Sequence, residues 1–147
     1  MSIRILIADS HKIIRDYLRS LLEKEADMKV IAEAGDGQET LQLARKLSPD
    51  VVIMDIGTPD LNGIEATRRI VADVPGVKEI GLSMHSDRRF VAGMLSAGAS
   101  GYLLKDCAFE ELSVAIRAVV VGQTYLSPGI GSITAEHYAS RLPQTKP

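Results

Sequence analysis

Short apolar runs alternate with longer amphipathic segments from Met1 to about Gly122. The runs are rich in β-branched residues, and most are continuously apolar, which is typical of parallel strands buried on both faces. The five predicted strands are Ile3 to Ala8, Lys29 to Ala34, Val51 to Met54, Glu79 to Ser83 and Gly101 to Leu104. Because strands and helical segments alternate strictly, the pattern predicts an α/β fold.

The amphipathic segments carry apolar residues at intervals of three or four, the spacing of one helix face. They predict five helices, and the stripe of the first consists of Ile13, Ile14, Tyr17, Leu18, Leu21 and Leu22. Ser10 is predicted as its N-cap, and Asp36-Gly37-Gln38-Glu39 resembles a capping box that begins the second helix. Val119 to Val121 are more apolar than one helix face can bury, which indicates a contact with residues after Gly122 or with a second copy of the chain.

Five strands and five helices in alternation predict a doubly wound five-stranded parallel sheet with helices on both faces. We favour the flavodoxin-like strand order 2-1-3-4-5. After Gly122 the pattern decays, and Tyr125 to Gly129 is predicted as a turn. We therefore expect one domain over residues 1–122 and a C-terminal extension or linker over residues 123–147.

Composition narrows the function classes. The chain has 147 residues, 46% of them hydrophobic, and a formal net charge of -2, so no strong field draws it to nucleic acid or anionic lipid. Its single cysteine, Cys107, excludes an internal disulfide framework. Because no apolar run approaches about 18 residues, we predict neither a membrane span nor a signal peptide and expect a cytosolic chain.

Polar side chains follow the carboxyl ends of the predicted strands, where open α/β sheets bind their ligands. They are Asp9 and Ser10 after the first strand, Asp55 after the third, Ser83 and His85 at the fourth, and Lys105 after the fifth. Two carboxylates, a hydroxyl and an ammonium group match phosphate and Mg²⁺ chemistry, and one carboxylate could be the nucleophile that forms an aspartyl phosphate. A lone loop histidine is more often solvated, and we expect this of His11 and His85.

The same positions lie in four ordered motifs. They are Ile5-Leu6-Ile7-Ala8-Asp9; Val52-Ile53-Met54-Asp55-Ile56 followed by Pro59 and Leu61-Asn62-Gly63; Leu82-Ser83; and Ala97-Gly98-Ala99-Ser100-Gly101-Tyr102-Leu103-Leu104-Lys105-Asp106. Residues 1 to about 122 resemble a response-regulator receiver domain of bacterial two-component signalling. The last motif and the later Tyr-Leu-Ser-Pro are most similar to receivers that precede a LuxR or NarL type helix-turn-helix domain, which we expect to lie outside this chain.

The resemblance implies a role for each matching residue. Asp55 matches the phosphoacceptor, Ser83 the hydroxyl that binds a phosphoryl oxygen, and Lys105 the cation that pairs with another. Tyr102 matches the switch aromatic, which turns inward when Ser83 moves toward the phosphate. Phosphorylation would then shift the population toward an active state that is already sampled.

The resemblance also implies a Mg²⁺ site formed by Asp9, Asp55 and the backbone carbonyl of Gly57. The family usually has a second acidic residue where this chain has Ser10, and a neutral hydroxyl is a weaker ligand, so we expect lower Mg²⁺ affinity. Ser10 itself is better explained as a helix N-cap than as a metal ligand. The alternative that this leaves open is a degenerate receiver, a protein-interaction module that works without phosphorylation.

Partners follow from the same resemblance. A sensor histidine kinase would supply the phosphoryl group, and DNA would be bound only through the absent helix-turn-helix domain. The chain would not be an enzyme beyond, at most, self-catalysed phosphorylation and dephosphorylation. We expect a cytoplasmic protein with no membrane partner, and a homodimer as a further state.

Overall fold

The structure is a computed structural model that describes residues 2–56, 63–83, 88–105 and 108–127, without the side chains of residues 88–89 and 108–110. Its six strands form one parallel sheet in the order β2-β1-β3-β4-β5-β6. The strands are β1 Ile3–Ala8, β2 Met28–Ala34, β3 Val51–Asp55, β4 Lys78–Ser83, β5 Gly101–Leu104 and β6 Tyr125–Leu126. The predicted α/β class and the order of the first five strands are confirmed.

Five described helices cover the two faces of the sheet. They are α1 Lys12–Leu22, α2 Gly37–Leu47, α3 Gly63–Asp73, α4 Arg88–Ser96 and α5 Ala108–Val120. The side chains of α1 and α5 share one apolar cluster with β1, β3 and β4, while those of α2, α3 and α4 form a second cluster on the opposite face. All residues of β3 are buried, as a central strand covered on both faces requires.

The start of α2 confirms the predicted capping box. Asp36 is the N-cap and its side chain accepts a hydrogen bond of 2.8 Å from the backbone N–H of Glu39. The Glu39 side chain in turn accepts from the backbone N–H of Gly35 at 2.8 Å. These two bonds satisfy donors that the first helical turn leaves without a partner, so the helix begins where the sequence predicts.

The start of α1 differs from the prediction. His11, not Ser10, is the N-cap residue, and it makes no side-chain cap bond. The helix begins one residue later than predicted because the side chain of Asp9 accepts the backbone N–H of His11 at 2.8 Å. The apolar stripe is also narrower than predicted, since Ile13 is 81% exposed and Tyr17 is 48% exposed.

The sheet has one strand more than the five predicted. Tyr125 and Leu126, interpreted from sequence as part of a turn, pair in parallel with β5. The backbone N–H of Tyr125 donates to Ser100 O at 3.0 Å, and that of Ser127 donates to Tyr102 O at 3.1 Å. A two-residue strand carries too little pattern to be recognised by alternation. The proposed division of the chain at residue 122 stays a prediction.

The apolar end of α5 has a covering partner within the chain. Val119 is fully buried, and both Val120 and Tyr125 pack against the cluster under α1 and α5. The expected contact with residues after Gly122 is therefore present, although Val121 stays 71% exposed. Among the described residues, no helix is long and apolar enough to cross a bilayer.

Candidate functional site at the carboxyl edge of the sheet

Two buried carboxylates face each other at the carboxyl ends of neighbouring strands. Ala8 pairs in register with Met54, so Asp9 and Asp55, one residue further on, lie at the same level of the sheet. Both are inaccessible to solvent. Burying one carboxylate without compensation is costly, and burying two side by side requires a nearby cation.

Lys105 supplies such a cation from the end of β5. Its Nζ lies 3.1 Å from Asp55 Oδ1 and 3.4 Å from Asp9 Oδ2, and its side chain is 20% exposed. Three residues far apart in sequence, each following or ending a different strand, therefore meet as the sequence predicts. One ammonium group faces two carboxylates, which leaves an excess of negative charge that favours a bound cation.

The second oxygen of Asp9 points to the turn that follows β1. Asp9 Oδ1 lies 2.8 Å from the backbone nitrogen of His11, which donates to it, and 3.2 Å from His11 Nδ1. The side chain of His11 is 63% exposed. Asp9 thus connects the Lys105 side of the site to an imidazole at its rim.

Arg15 holds the same turn from α1. Its Nη1 donates to the backbone carbonyl of Asp9 at 2.7 Å, and its Nε donates to Glu33 at 3.0 Å. Glu33 on β2 also accepts a bond of 2.6 Å from Arg19. Burial acts to raise the pKa of Glu33, but the hydrogen bonds from Arg19 and Arg15 outweigh it and bring the pKa below its usual value. Glu33 therefore stays charged and keeps Arg15 in place.

Ser83 and Tyr102 lie on the adjacent strands. Ser83 ends β4, is buried, and pairs in register with Leu104, the residue before Lys105. Ile56 N donates to Leu82 O, which places the end of β3 beside Ser83. The Tyr102 ring is fully buried in the cluster that contains Met94. The positions of Ser83 and Tyr102 on the strands agree with the sequence. Their predicted roles stay predictions.

The donor set fits a divalent metal. A ligating atom from each of Asp9, His11 and Asp55 lies within 4.8 Å of the others. Carboxylate oxygens are the ligands that Mg²⁺ prefers, so this part of the site is suited to that ion. Ser10 Oγ lies near the rim, 3.4 Å from His11 Nδ1. Gly57, the other predicted ligand, lies outside the described residues.

Sequence reasoning missed the parts played by His11 and Arg15. The His11 side chain is 63% exposed, as expected of a solvated histidine, but the sequence did not reveal the turn formed when Asp9 accepts the backbone N–H two residues on, a hydrogen bond that aspartate commonly makes. Arg15 lies one helical turn beyond His11, so its guanidinium can reach back to the end of β1. Neither contact is visible from hydrophobic periodicity.

Comparisons with known proteins agree with this architecture. The sequence model of the family described as "Response regulator receiver domain" matches residues 5–117. Transcriptional regulatory protein DegU of Brevibacillus brevis is 39% identical over 87% of this chain and 54% of its own length. Response regulator GacA of Pseudomonas viridiflava is 38% identical over 87% of this chain and 60% of its own length. The chain thus spans little more than half the length of these curated relatives.

A solved structure is similar over nearly its whole length. The two-component response regulator of the LuxR family from Aurantimonas sp. SI85-9A1 superposes with a TM-score of 0.87 at 37% identity, covering 95% of this chain and 99% of that one. These matches do not favour a phosphorylation-independent module over a phosphoacceptor. Sequence motifs, sheet order, site and relatives agree, and this chain therefore belongs to the response regulator receiver family.

Proposed function

We propose that this chain is the phosphoacceptor domain of a two-component response regulator and that Asp55 is its phosphorylation site. The observation that carries the proposal is the contact between Lys105 Nζ and Asp55 Oδ1 at 3.1 Å, at the rim where Asp9 also lies. A buried carboxylate held by a cation at a strand end is positioned to become an acyl phosphate whose new charge is already compensated.

The reaction is a phosphoryl transfer between two side chains. A carboxylate oxygen of Asp55 attacks the phosphorus of a phosphohistidine on a sensor histidine kinase. The P–N bond breaks as the P–O bond forms, and the departing imidazole keeps the electron pair and takes a proton from solvent. Lys105 pairs with one phosphoryl oxygen, and the hydroxyl of Ser83 donates to another, so the chain contributes mainly position and charge.

The metal belongs to the same proposal. Asp9, Asp55 and the backbone carbonyl of Gly57 would hold Mg²⁺, which when bound neutralises charge on the phosphoryl oxygens. Ser10 offers a neutral oxygen where the family usually has a carboxylate, so Mg²⁺ affinity is reduced. Titration of Mg²⁺ into the wild type and into Ser10→Asp tests this, with tighter binding expected for the variant; equal affinities would contradict it.

Ser83 and Tyr102 would carry the signal away from Asp55. Ser83 moves to bind the phosphoryl oxygen, and the Tyr102 ring occupies the space inside the cluster of α2, α3 and α4. The Tyr102 ring already lies fully buried in this inward position, so phosphorylation would stabilise it there. Phosphorylation then shifts a population between two conformations.

Partners follow from the family and the relatives. This chain acts in the cytoplasm, where a sensor histidine kinase supplies the phosphoryl group, and DNA is contacted through a LuxR or NarL type helix-turn-helix domain outside this chain. The chain is a signalling domain whose chemistry is limited to its own phosphorylation and dephosphorylation. A homodimer is a further expected state, which light scattering at several protein concentrations would detect.

The decisive experiment uses a small phosphoryl donor. Incubation with acetyl phosphate and Mg²⁺ is expected to add one phosphoryl group by intact mass, removable by hydroxylamine as an acyl phosphate is. Asp55→Asn should gain none, whereas Asp16→Asn, which removes an exposed carboxylate on α1, should behave as the wild type. A modification that persists in Asp55→Asn, or an unmodified wild type with acetyl phosphate and with kinase, would overturn the proposal.

A further inference from the structure

The rim of the site contains a nitrogen donor beside the two carboxylates. His11 Nδ1 lies 3.2 Å from Asp9 Oδ1, and the His11 ring contributes one atom to the group of ligating atoms that includes Asp55. Asp9 uses its two oxygens differently, since Oδ2 faces Lys105 and Oδ1 faces His11. Lys105 therefore does not occupy the His11 side of Asp9, where Oδ1 accepts the backbone N–H of His11 at 2.8 Å and keeps a second lone pair for a cation.

The spacing of these two atoms suits neighbouring ligands on one ion. Bonds of about 2.1 Å at right angles place adjacent ligand atoms roughly 3.0 Å apart. The observed 3.2 Å between Nδ1 and Oδ1 is close to that value. A metal bound by both atoms would replace the proton of their hydrogen bond, and the neutral ring would then carry its proton on Nε2.

The serine at position 10 changes which ions fit. With Ser10 in place of an acidic residue, the described side-chain donors are two carboxylates and one imidazole rather than three carboxylates. Mg²⁺ prefers oxygen ligands, whereas Co²⁺, Ni²⁺ and Zn²⁺ bind imidazole well and bind nitrogen and oxygen sites more strongly in general. The loss of one carboxylate weakens Mg²⁺ binding more than it weakens binding of these ions.

We propose that His11 is a metal ligand in this receiver and that, with Asp9 and Asp55, it makes the site selective for imidazole-binding transition metal ions over Mg²⁺. The inference rests on the proposed function, because it concerns the metal at the same phosphoacceptor site. It assigns to His11 a role that an exposed N-cap residue would not have.

Calorimetric titration of the full chain with Co²⁺ and with Mg²⁺ tests the selectivity. The wild type is expected to bind Co²⁺ at least tenfold more tightly than Mg²⁺. His11→Gln should lose at least tenfold in Co²⁺ affinity and little in Mg²⁺ affinity. Ser10→Asp should narrow the gap by strengthening Mg²⁺ binding. Equal binding of the two ions by the wild type, or unchanged Co²⁺ binding in His11→Gln, would overturn the inference.

Paramagnetic NMR of the Co²⁺ form identifies the ligand directly. The chain has three histidines, and a hyperfine-shifted imidazole resonance should be present in the wild type and in His137→Gln but absent from His11→Gln. A resonance that survives in His11→Gln assigns the metal elsewhere and refutes the role of His11. Circular dichroism of each variant confirms that the fold is intact.

The inference and the proposed function fail in different ways. If Asp55 is phosphorylated in the presence of Mg²⁺ while His11→Gln binds Co²⁺ as tightly as the wild type, only the metal inference fails. If His11 binds Co²⁺ but Asp55 never accepts a phosphoryl group, the proposed function fails while the metal site remains.

Discussion

The hydroxyl of Thr67 on α3 donates a hydrogen bond of 3.0 Å to the side chain of Glu79 on β4, and neither residue is exposed to solvent. Burial raises the pKa of Glu79 to about 8, against the opposing effect of the Thr67 bond. The second oxygen, Glu79 Oε2, has no hydrogen-bond partner among the described residues. Glu79 is therefore a neutral acid in the core at pH 7.

The neutral state of Glu79 makes stability depend on pH. Its pKa is higher in the folded protein than the ordinary value of 4.5, so the folded state binds the proton more tightly. The stabilisation that this proton gives to the folded state is complete below pH 4.5 and is lost as the pH rises to about 8. The free energy of unfolding then falls by at most about 1.4 kcal/mol per pH unit. Urea unfolding of the wild type and Glu79→Gln from pH 5 to 9 checks this.

The expected result is a flatter profile for Glu79→Gln. Relative to the wild type, its free energy of unfolding should rise between about pH 5 and about pH 8 and then level off, because the amide has no proton to lose. Glu65→Gln, which changes an exposed carboxylate on α3, should run parallel to the wild type. Parallel profiles for all three proteins would show that Glu79 does not titrate in the core.

The two sides of α1 are expected to differ sharply in stability. Leu18 on α1 is 3% exposed and packs in the apolar cluster that α1 and α5 share with the sheet. Leu18→Ala should therefore lower the free energy of unfolding by about 3 kcal/mol, through lost burial and the cavity left behind. Ile13→Ala should change stability by no more than about 0.5 kcal/mol because the side chain is largely in solvent. Chemical denaturation measures both, and similar losses would mean that Ile13 is buried.

How much the sequence predicted is clear from α1 and its neighbours. Continuous apolar runs gave the bounds of β1 and β5 as observed, because a strand buried on both faces leaves little ambiguity. Periodicity showed which residues of α1 share a face but not how much of that face the sheet covers. It therefore could not separate Leu18 from Ile13.

The sequence predicted which strand-end residues form the site, but not the local contacts around them. The rule that strand ends meet at one edge placed Asp9, Asp55 and Lys105 together, since it depends only on topology. The ring of His11 depends on how one turn closes, and the partner of Glu79 depends on the packing of α3 against β4. Such contacts follow from three-dimensional packing and leave no periodic signal.

A side chain at Gly98 is predicted to destabilise the fold. Its φ is +106°, and a Cβ there would lie 2.9 Å from Val71 Cγ1. Gly76 has a φ of +82° with nothing within 4 Å, so it serves as a matched control for backbone strain alone. Gly76→Ala should cost about 1 kcal/mol, and Gly98→Ala about 1 to 3 kcal/mol more, because the stiff Val71 must move.

Thermal and urea unfolding of the two glycine variants supply the comparison. Equal losses in the free energy of unfolding would mean that the Val71 side chain moves aside at no cost. Only the positive φ would then matter at the turn between α4 and β5.

Ser127 is predicted to stabilise the last described segment. It is buried, its Oγ accepts the backbone N–H of Leu104 at 3.1 Å, and its hydroxyl donates to Glu111 Oε1 at 3.1 Å. Ser127→Ala removes both bonds and should cost about 1 to 3 kcal/mol. Ser96→Ala, at an exposed position in α4, should change stability by no more than about 0.5 kcal/mol.

Amide hydrogen exchange gives a local test of the same variant. The N–H of Leu104 should exchange faster in Ser127→Ala than in the wild type. Unchanged protection of Leu104 would show that another group replaces the hydroxyl.

The pairing of β6 with β5 has a mechanical consequence. The two strands run in the same direction, so tension applied along the chain at Ser127 loads the bonds to Ser100, Tyr102 and Leu104 together, in shear, rather than peeling them apart one by one. Hydrogen bonds loaded in shear resist force well for the length of the pairing. The β5–β6 pairing therefore transmits the tension to β5, the strand that leads into Lys105.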